Sequence, residues 1–369
     1  MKAKKNLTFI DKVFLWINIS LGIALLISYL APITNPEKFW VIAFFGLAYP
    51  FLLFGNVIFI IYWLIRKSKW VLLPIIVIGI GWKILNKNIG LRFPQMYSRA
   101  ANPDMLRIMT YNVHNFKRYG EKNDVSTKRE ILQIISDYSP DIIGLQEFYT
   151  RNRGQYDMMD SVQRILKSKH YFFESVASNK DEAMGMAIFS RFPIVAHGLI
   201  PLADRKSENQ CIYVDIKKGA KIIRVYNVHL QSIRFDPYDY RYISNITEQG
   251  KPEVSSAKRL GGKLKIAFLK RSEQVFKIKA HADSCTYPYI ISGDFNDTPA
   301  SFAVNQMSKG LKNAFCEKGS GLGRTYNGNF PNYQIDYIMT SKQFDVKGYN
   351  IIEKKLSDHY PVCSELVLK

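Results

Sequence analysis

The run Ile290–Pro299 reads Ile-Ile-Ser-Gly-Asp-Phe-Asn-Asp-Thr-Pro. It opens as a strand, breaks at Gly293 and then presents Asp294 and Asn296 two positions apart. Alternate residues of an extended segment share a face, so a carboxylate and a carboxamide point together into one site. Such a pair suits a water molecule, a hard cation or a phosphate oxygen. Comparable groups recur at or just beyond the carboxyl ends of hydrophobic strands: Asn112, Glu147, His229, Asp294 with Asn296, and Asp358 with His359. A further carboxylate, Asp336, rides on the strand Gln334–Met339. Strands of one sheet can deliver all of these to a single rim. Acids, amides and imidazoles without cysteine suit Mg²⁺ or Mn²⁺ held through oxygen, with histidine for acid–base and phosphate contacts.

The elements that must position these groups follow from pattern. Leu106–Tyr111 alternates like a strand, and Ile131, Ile134, Ile135 and Tyr138 form a helical stripe that Ser126 or Thr127 can cap. Asp141–Gln146 reads as a buried strand, 157–169 as a helix and Gly185–Phe189 as a strand. Cys211–Ile216 and Ile222–Val228 read as a hairpin. Residues 233–256 are aromatic, polar and without periodicity, which predicts a surface loop or lid. Residues 263–282 form a helix with basic faces. Cys211, Cys285, Cys316 and Cys363 show no metal-site spacing and read as buried thiols.

The first 103 residues differ in kind. They hold 12 Lys/Arg against 2 Asp/Glu, and the remainder holds 39 against 29, so the net charge of +20 divides evenly. Three apolar stretches, about 13–31, 39–65 and 70–85, are candidates to cross a hydrocarbon core of about 30 Å. The third is interrupted by Pro74, Gly79, Gly81 and Lys83. This divides the chain into a membrane region (1–87), a linker (88–103) and a soluble domain (104–369). Basic residues before the first stretch and after the second place both on the cytoplasmic side. Three crossings then carry 104–369 to the extracytoplasmic face of an integral membrane protein; two would leave it in the cytoplasm. A basic soluble domain favours anionic partners.

Six segments in sequence order carry a family resemblance: Thr110-Tyr111-Asn112-Val113-His114, Ile143-Gly144-Leu145-Gln146-Glu147, Asn227-Val228-His229-Leu230, Gly293-Asp294-Phe295-Asn296, Ile335-Asp336-Tyr337 and Ser357-Asp358-His359-Tyr360-Pro361-Val362. Over about 105–368 the chain resembles the endonuclease/exonuclease/phosphatase superfamily, with its deoxyribonuclease I-like and neutral sphingomyelinase-like branches. The resemblance implies a four-layer α/β sandwich, two packed mixed sheets flanked by helices, here preceded by the transmembrane helices. It implies Glu147 as principal metal ligand with Asn112 beside it, and Asp358 as a ligand or electrostatic partner. Asp294 would orient or deprotonate the attacking water, and Asn296 would hold that water or the phosphate. His229 and His359 would contact the phosphate, with Asp336 orienting His359. His114 stands where some nuclease branches carry a second acid.

The expected function is a membrane-anchored, Mg²⁺- or Mn²⁺-dependent phosphodiesterase. Nucleic acid comes first as substrate because of the net charge, and a phospholipid or sphingomyelin headgroup second because of the anchor and the aromatic segment 233–256. A phosphomonoesterase comes third. A non-catalytic binding module would not keep every acid and imidazole, and a transporter would want ionisable groups within its spans.

Overall fold

The computed structural model describes residues 7–93, 104–117, 125–203, 207–250, 253–328 and 330–369, without side chains at 246–249. The N-terminal region contains α1 (Phe9–Ser28), α2 (Pro36–Leu47), α3 (Tyr49–Ile65), α4 (Leu72–Ile80) and α5 (Trp82–Asn88), then a short strand β1 (Ile89–Gly90). Only α1, among the described residues, is a single helix long and apolar enough to cross a membrane; counting each bent pair as one span makes three. The second expected stretch breaks at Ala48, where α2 and α3 meet at 47°. Pro50 explains the break, because it has no N–H to continue the helix. The third breaks by 71° at Gly81, over which the Tyr29 ring lies so closely that a Cβ would sit 2.1 Å from it. Asp11 and Arg66 pair through two hydrogen bonds of 2.8 and 2.6 Å, tying the start of α1 to the end of α3.

The rest of the chain runs β2 (Met105–Asn112), α6 (Val125–Tyr138), β3 (Ile142–Arg151), α7 (Met158–Leu166), β4 (His170–Ser178), β5 (Glu182–Ser190), β6 (Ile194–Ile200), β7 (Cys211–Lys218), β8 (Lys221–His229), α8 (Pro237–Gln249), α9 (Val254–Asp283) and β9 (Tyr289–Asp294). It ends with α10 (Phe302–Met307), β10 (Lys312–Asn313), α11 (Ala314–Lys318), β11 (Gly321–Leu322), β12 (Asp336–Thr340), β13 (Phe344–Ile351) and β14 (Val362–Leu368). One sheet has the order β13-β14-β2-β3-β5-β4 and the other β10-β12-β9-β8-β7-β6. Each is mixed: β2 pairs parallel with β3 and β8 with β9, each across a helical crossover, and every other pair is antiparallel. This is the sandwich of two mixed sheets flanked by helices that the family resemblance implies.

Three apolar layers hold it together. Ile108, Ile188, Val214, Val225 and Ile290 meet between the sheets. Ile131, Ile135 and Val162 of the α6–α7 side cover Ile143 and Leu145. Val275 and Ile278 of α9, with Met307, cover Tyr226 and Ile291. A fourth cluster joins Leu25, Tyr49, Leu53 and Val77 of the N-terminal helices to Ala300 of the sandwich.

Several expectations change. Residues 233–256 are not an irregular loop, since α8 and the start of α9 occupy most of the segment. The buried Asp239 receives Lys263 and Arg259 of α9, the latter at 2.8 Å, and these ion pairs fasten α8 beside buried Tyr242. α6 begins at Val125, which puts Ser126 and Thr127 inside its first turn instead of at its cap. The strands β4, β6 and β13 escape the sequence pattern. All three are sheet edges, and edges tolerate the polar, exposed residues that erase alternation. Cys211 and Cys363 are buried thiols, but Cys285 and Cys316 are only half-buried. Finally, Ile89 and Gly90, placed in the linker, pair with Leu322 and Gly321; the rest of the linker from residue 94 lies outside the described residues.

Candidate active site

The site forms where strand ends from both sheets meet. Asn112 ends β2, His229 ends β8 and Asp294 ends β9. The Asp358–His359 pair does not lie at a strand's carboxyl end, where the sequence suggested it, and Asp336 comes to the site at the start of its strand. Asp336 is the first residue of β12 and pairs directly with Asp294, and His359 precedes β14. Because β12 and β14 run antiparallel to their neighbours, their amino ends reach the same rim.

Local backbone geometry aims these groups. Gly293 has φ +144, and a Cβ there would lie 2.0 Å from the Val228 carbonyl oxygen. Only glycine lets β9 approach β8 so closely just before Asp294. Glu147 sits in a register shift of the β3–β5 pair between Leu145 and Phe148, at φ +50. This bulge re-aims its carboxylate. His114 and Asn296 also have positive φ, +43 and +53. Non-glycine residues in that region carry strain that surrounding structure must hold, and here three of them gather at one site.

Asp294 is the hub. Its Oδ2 accepts from Asn112 Nδ2 and Asn296 Nδ2, both at 3.2 Å, and lies 3.6 Å from Nε2 of His229 and of His359. The Asn296 N–H donates to its Oδ1 at 2.8 Å. Burial raises the Asp294 pKa to about 6, against the pull of His359 and His229. His359 Nδ1 lies 3.0 Å from Asp336 Oδ2. Burial pushes the His359 ring down, but Asp336 and then Asp294 outweigh it and raise it well above an ordinary histidine. His229 is oriented by its Nδ1, 3.1 Å from the Glu208 carbonyl. Asn112 Nδ2 also donates to Glu147 Oε1 at 3.1 Å. The Ser357 hydroxyl donates to the Asn112 carbonyl at 2.8 Å and so fastens the Asp358–His359 segment to β2. All eight sequence-predicted residues therefore gather around one cavity of about 340 Å³ or touch those that line it.

Two groupings can be considered for a cation. Asp294, Asp336 and His359 offer ligand atoms within 4.8 Å of one another, but all three are buried and already engaged with each other, as an acid–imidazole relay. The second grouping is more open. His114 Nδ1 lies 3.4 Å from Glu147 Oε2 and 3.7 Å from Asp358 Oδ1. Burial works to raise the Glu147 pKa, but the hydrogen bond with His114 and the charge of His229 hold it down at about 2. Burial likewise works to lower His114, and Glu147 and Asp358 overcome it and raise its pKa. Glu147 and Asp358 thus both approach the His114 ring. This oxygen-rich set fits a hard divalent cation; Glu147 and Asp358 would hold it, with Asn112 alongside.

The family model described as Endonuclease/Exonuclease/phosphatase family matches residues 109–359. The chain belongs to this family. Its members are phosphoester hydrolases, typically dependent on a divalent metal. A second model, a domain of unknown function (DUF8431), matches residues 11–88. Comparison with curated proteins finds no match. Among solved structures, the chain is similar to an endonuclease/exonuclease/phosphatase from Beutenbergia cavernae DSM 12333, at 19% identity over 72% of each chain with a TM-score of 0.50. It is also similar to a family protein from Bacteroides thetaiotaomicron, at 21% identity over 72% of this chain and 98% of that one, TM-score 0.50. At such identities the likeness is one of fold.

Sequence reasoning passed over Arg271 and Asp297. Arg271 is fully buried on α9, its Nε 3.0 Å from Asp297 Oδ2. Its Nη1 donates to the carbonyls of Asn296 (2.5 Å) and Gln231 (3.2 Å), so it holds the two loops that follow Asp294 and His229. Residues 264, 268, 271, 275, 278 and 282 mark the inward stripe of α9. A charge inside an apolar stripe was the available signal. Gln146 and Asn227, quoted only as motif letters, form a buried bridge between the sheets: Gln146 donates to Thr110 and Asn227, and Asn227 to the carbonyls of Leu145 and Ala187.

Proposed function

We propose that the protein is a membrane-anchored, Mg²⁺-dependent phosphodiester hydrolase with its catalytic domain on the extracytoplasmic side. The observation that carries the reading is the placement of Asp294 within 3.6 Å of two imidazoles and hydrogen-bonded to two carboxamides. Asp294 accepts the proton of the attacking water, and Asn296 keeps its carboxylate in line. A pKa near 6 suits a base working close to neutrality. His359, held cationic by Asp336, faces the phosphoryl oxygens, and His229 supports them from β8. Charge that develops on those oxygens meets donors already fixed in place, which is where electrostatic preorganisation acts. A divalent cation at Glu147 and Asp358 would supply further positive charge to the phosphate.

The net charge of +20 favours a polyanion such as nucleic acid. Leu47, Leu264, Phe268 and Phe330 in the lining of the cavity favour a phosphoester attached to an apolar group. The reaction itself is tested with purified full-length protein and bis(p-nitrophenyl) phosphate. Hydrolysis is expected to need Mg²⁺ and to stop with EDTA. Asp294→Asn should lower kcat by about 100- to 10,000-fold, the range for losing a general base. Since Asp294 must be ionised to act, kcat should be full above its pKa and fall as pH drops through about 6. A variant as fast as the wild type would remove Asp294 from the chemistry.

A further inference from the structure

The catalytic cavity has walls of two kinds. Glu147, His229, Asp294 and His359 line one part, and Leu47, Leu264, Phe268, Phe330 and Tyr333 line another. Leu47 does not belong to the sandwich. It is the last residue of α2, at the bend before α3, and its carbonyl accepts a 3.1 Å hydrogen bond from the Tyr333 hydroxyl. A Cβ on the preceding Gly46 would lie 2.8 Å from the Ala300 carbonyl oxygen, so the bend is seated directly on the catalytic domain.

Two chains of aromatic contact lead from the outer surface of these helices to the apolar wall. Trp40, 38% exposed, meets Phe44 at 5.9 Å between ring centres, and Phe44 meets Phe268 at 5.3 Å. Phe51, 56% exposed, meets Tyr333 at 6.4 Å, and Tyr333 meets Phe330 at 5.9 Å. Lys265 places its ammonium 4.6 Å from the Trp40 ring. Tryptophan beside a lysine is the pairing expected at headgroup depth, where one end of each side chain is apolar and the other wet. Aromatic packing therefore links the exposed apolar side chains of the N-terminal helices to the apolar wall of the cavity. A substrate that is polar throughout would make no use of the apolar side chains that Leu47 and Phe330 contribute to the cavity.

Resting on the hydrolase reading above, we propose that the substrate is a lipid phosphodiester resident in the bilayer. Its phosphate lies among Glu147, His229, Asp294 and His359, and its hydrocarbon portion lies on the wall that α2 helps to build. The N-terminal helices are then part of the substrate site as well as an anchor. In the reaction the water oxygen bonds to phosphorus and one phosphorus–ester oxygen bond breaks. Asp294 takes one water proton and the departing oxygen receives one. A phosphodiester and water become a phosphomonoester and an alcohol.

The test uses full-length protein in detergent and three substrates. These are mixed vesicles of phosphatidylcholine, phosphatidylethanolamine, phosphatidylglycerol and sphingomyelin, bis(p-nitrophenyl) phosphate in solution, and supercoiled plasmid. The vesicle lipids should be cleaved. Leu47→Asp and Phe330→Ser should each lower the ratio of vesicle rate to soluble rate by about tenfold, the loss expected for one buried apolar side chain; using both guards against a variant that fails to fold. Cleavage of bis(p-nitrophenyl) phosphate with no cleavage of any vesicle lipid overturns the proposal and leaves the hydrolase reading standing. So does nicking of plasmid with the rate ratio unmoved in both variants. No hydrolysis of any substrate with Mg²⁺ present overturns the hydrolase reading itself.

Discussion

Arg271 shows how a single residue supports the site without touching its centre. Burial disfavours both charges, pushing Arg271 down and Asp297 up, and each is countered by the other. The pair is also bound to the backbone of Asn296 and Gln231, so its geometry passes directly to the loops that follow Asp294 and His229. Arg271→Met should cost about 3–5 kcal/mol by leaving Asp297 charged and unpaired, read as a lowered midpoint in denaturant unfolding. The double variant Arg271→Met with Asp297→Asn should recover part of that loss. Equal destabilisation in the single and double variants would mean that the charge on Asp297 carries no penalty, against its complete burial.

At the scale of elements, the site depends on two parallel pairs, β2 with β3 and β8 with β9, lying at the middle of their sheets. Parallel central strands put Asn112, Glu147, His229 and Asp294 on one rim, and antiparallel β12 and β14 bring Asp336 and His359 to it from the other direction. The β8–β9 approach leaves no room for a Cβ at position 293. Gly293→Ala should therefore cost about 3 kcal/mol, because the new Cβ meets backbone that cannot rotate away and the residue retains φ +144. The same separation would displace His229 from Asp294, so kcat should fall with stability. Unchanged thermal unfolding would show that β9 can relax at little cost. The helix α8 makes the complementary point. It is fastened to the helix that follows by the ion pairs of buried Asp239 with Lys263 and Arg259, and by buried Tyr242.

At the scale of the whole molecule, the N-terminal helices and the sandwich share a core through Ala300 and a hydrogen bond from Asn305 to the Pro32 carbonyl. Their outward residues are apolar, Phe9, Trp16, Phe54 and Ile65 among them. A helix of 20 residues such as α1 spans about 30 Å, the depth of a hydrocarbon core. The protein should stay in the membrane pellet after an alkaline carbonate wash and leave it only with detergent. If the catalytic domain is extracytoplasmic, the half-buried Cys285 and Cys316 in right-side-out vesicles should react with a membrane-impermeant maleimide. Labelling only after permeabilisation would place the domain in the cytoplasm, with one of the bent pairs failing to cross.

By itself, the sequence showed the alternation of strand and helix patterns and the polar residues at strand ends, and its six motifs, through the family they resemble, implied the two-sheet sandwich. These are legible because residue type and short-range periodicity are local, and because Asp294 with Asn296, or Ser357 with Asp358 and His359, keep their spacing whatever surrounds them. Edge strands and α8 were not legible, since exposure replaces the apolar pattern in the first and ion pairs help to fasten the second. The part played by Arg271 and the apolar wall that α2 contributes through Leu47 were decided only by tertiary structure. Tyr333 and Leu47 lie 286 positions apart, and nothing in either segment specifies the other. They meet because the two helices bent at Pro50 pack against Ala300, and that packing brings Leu47 into the lining of the cavity.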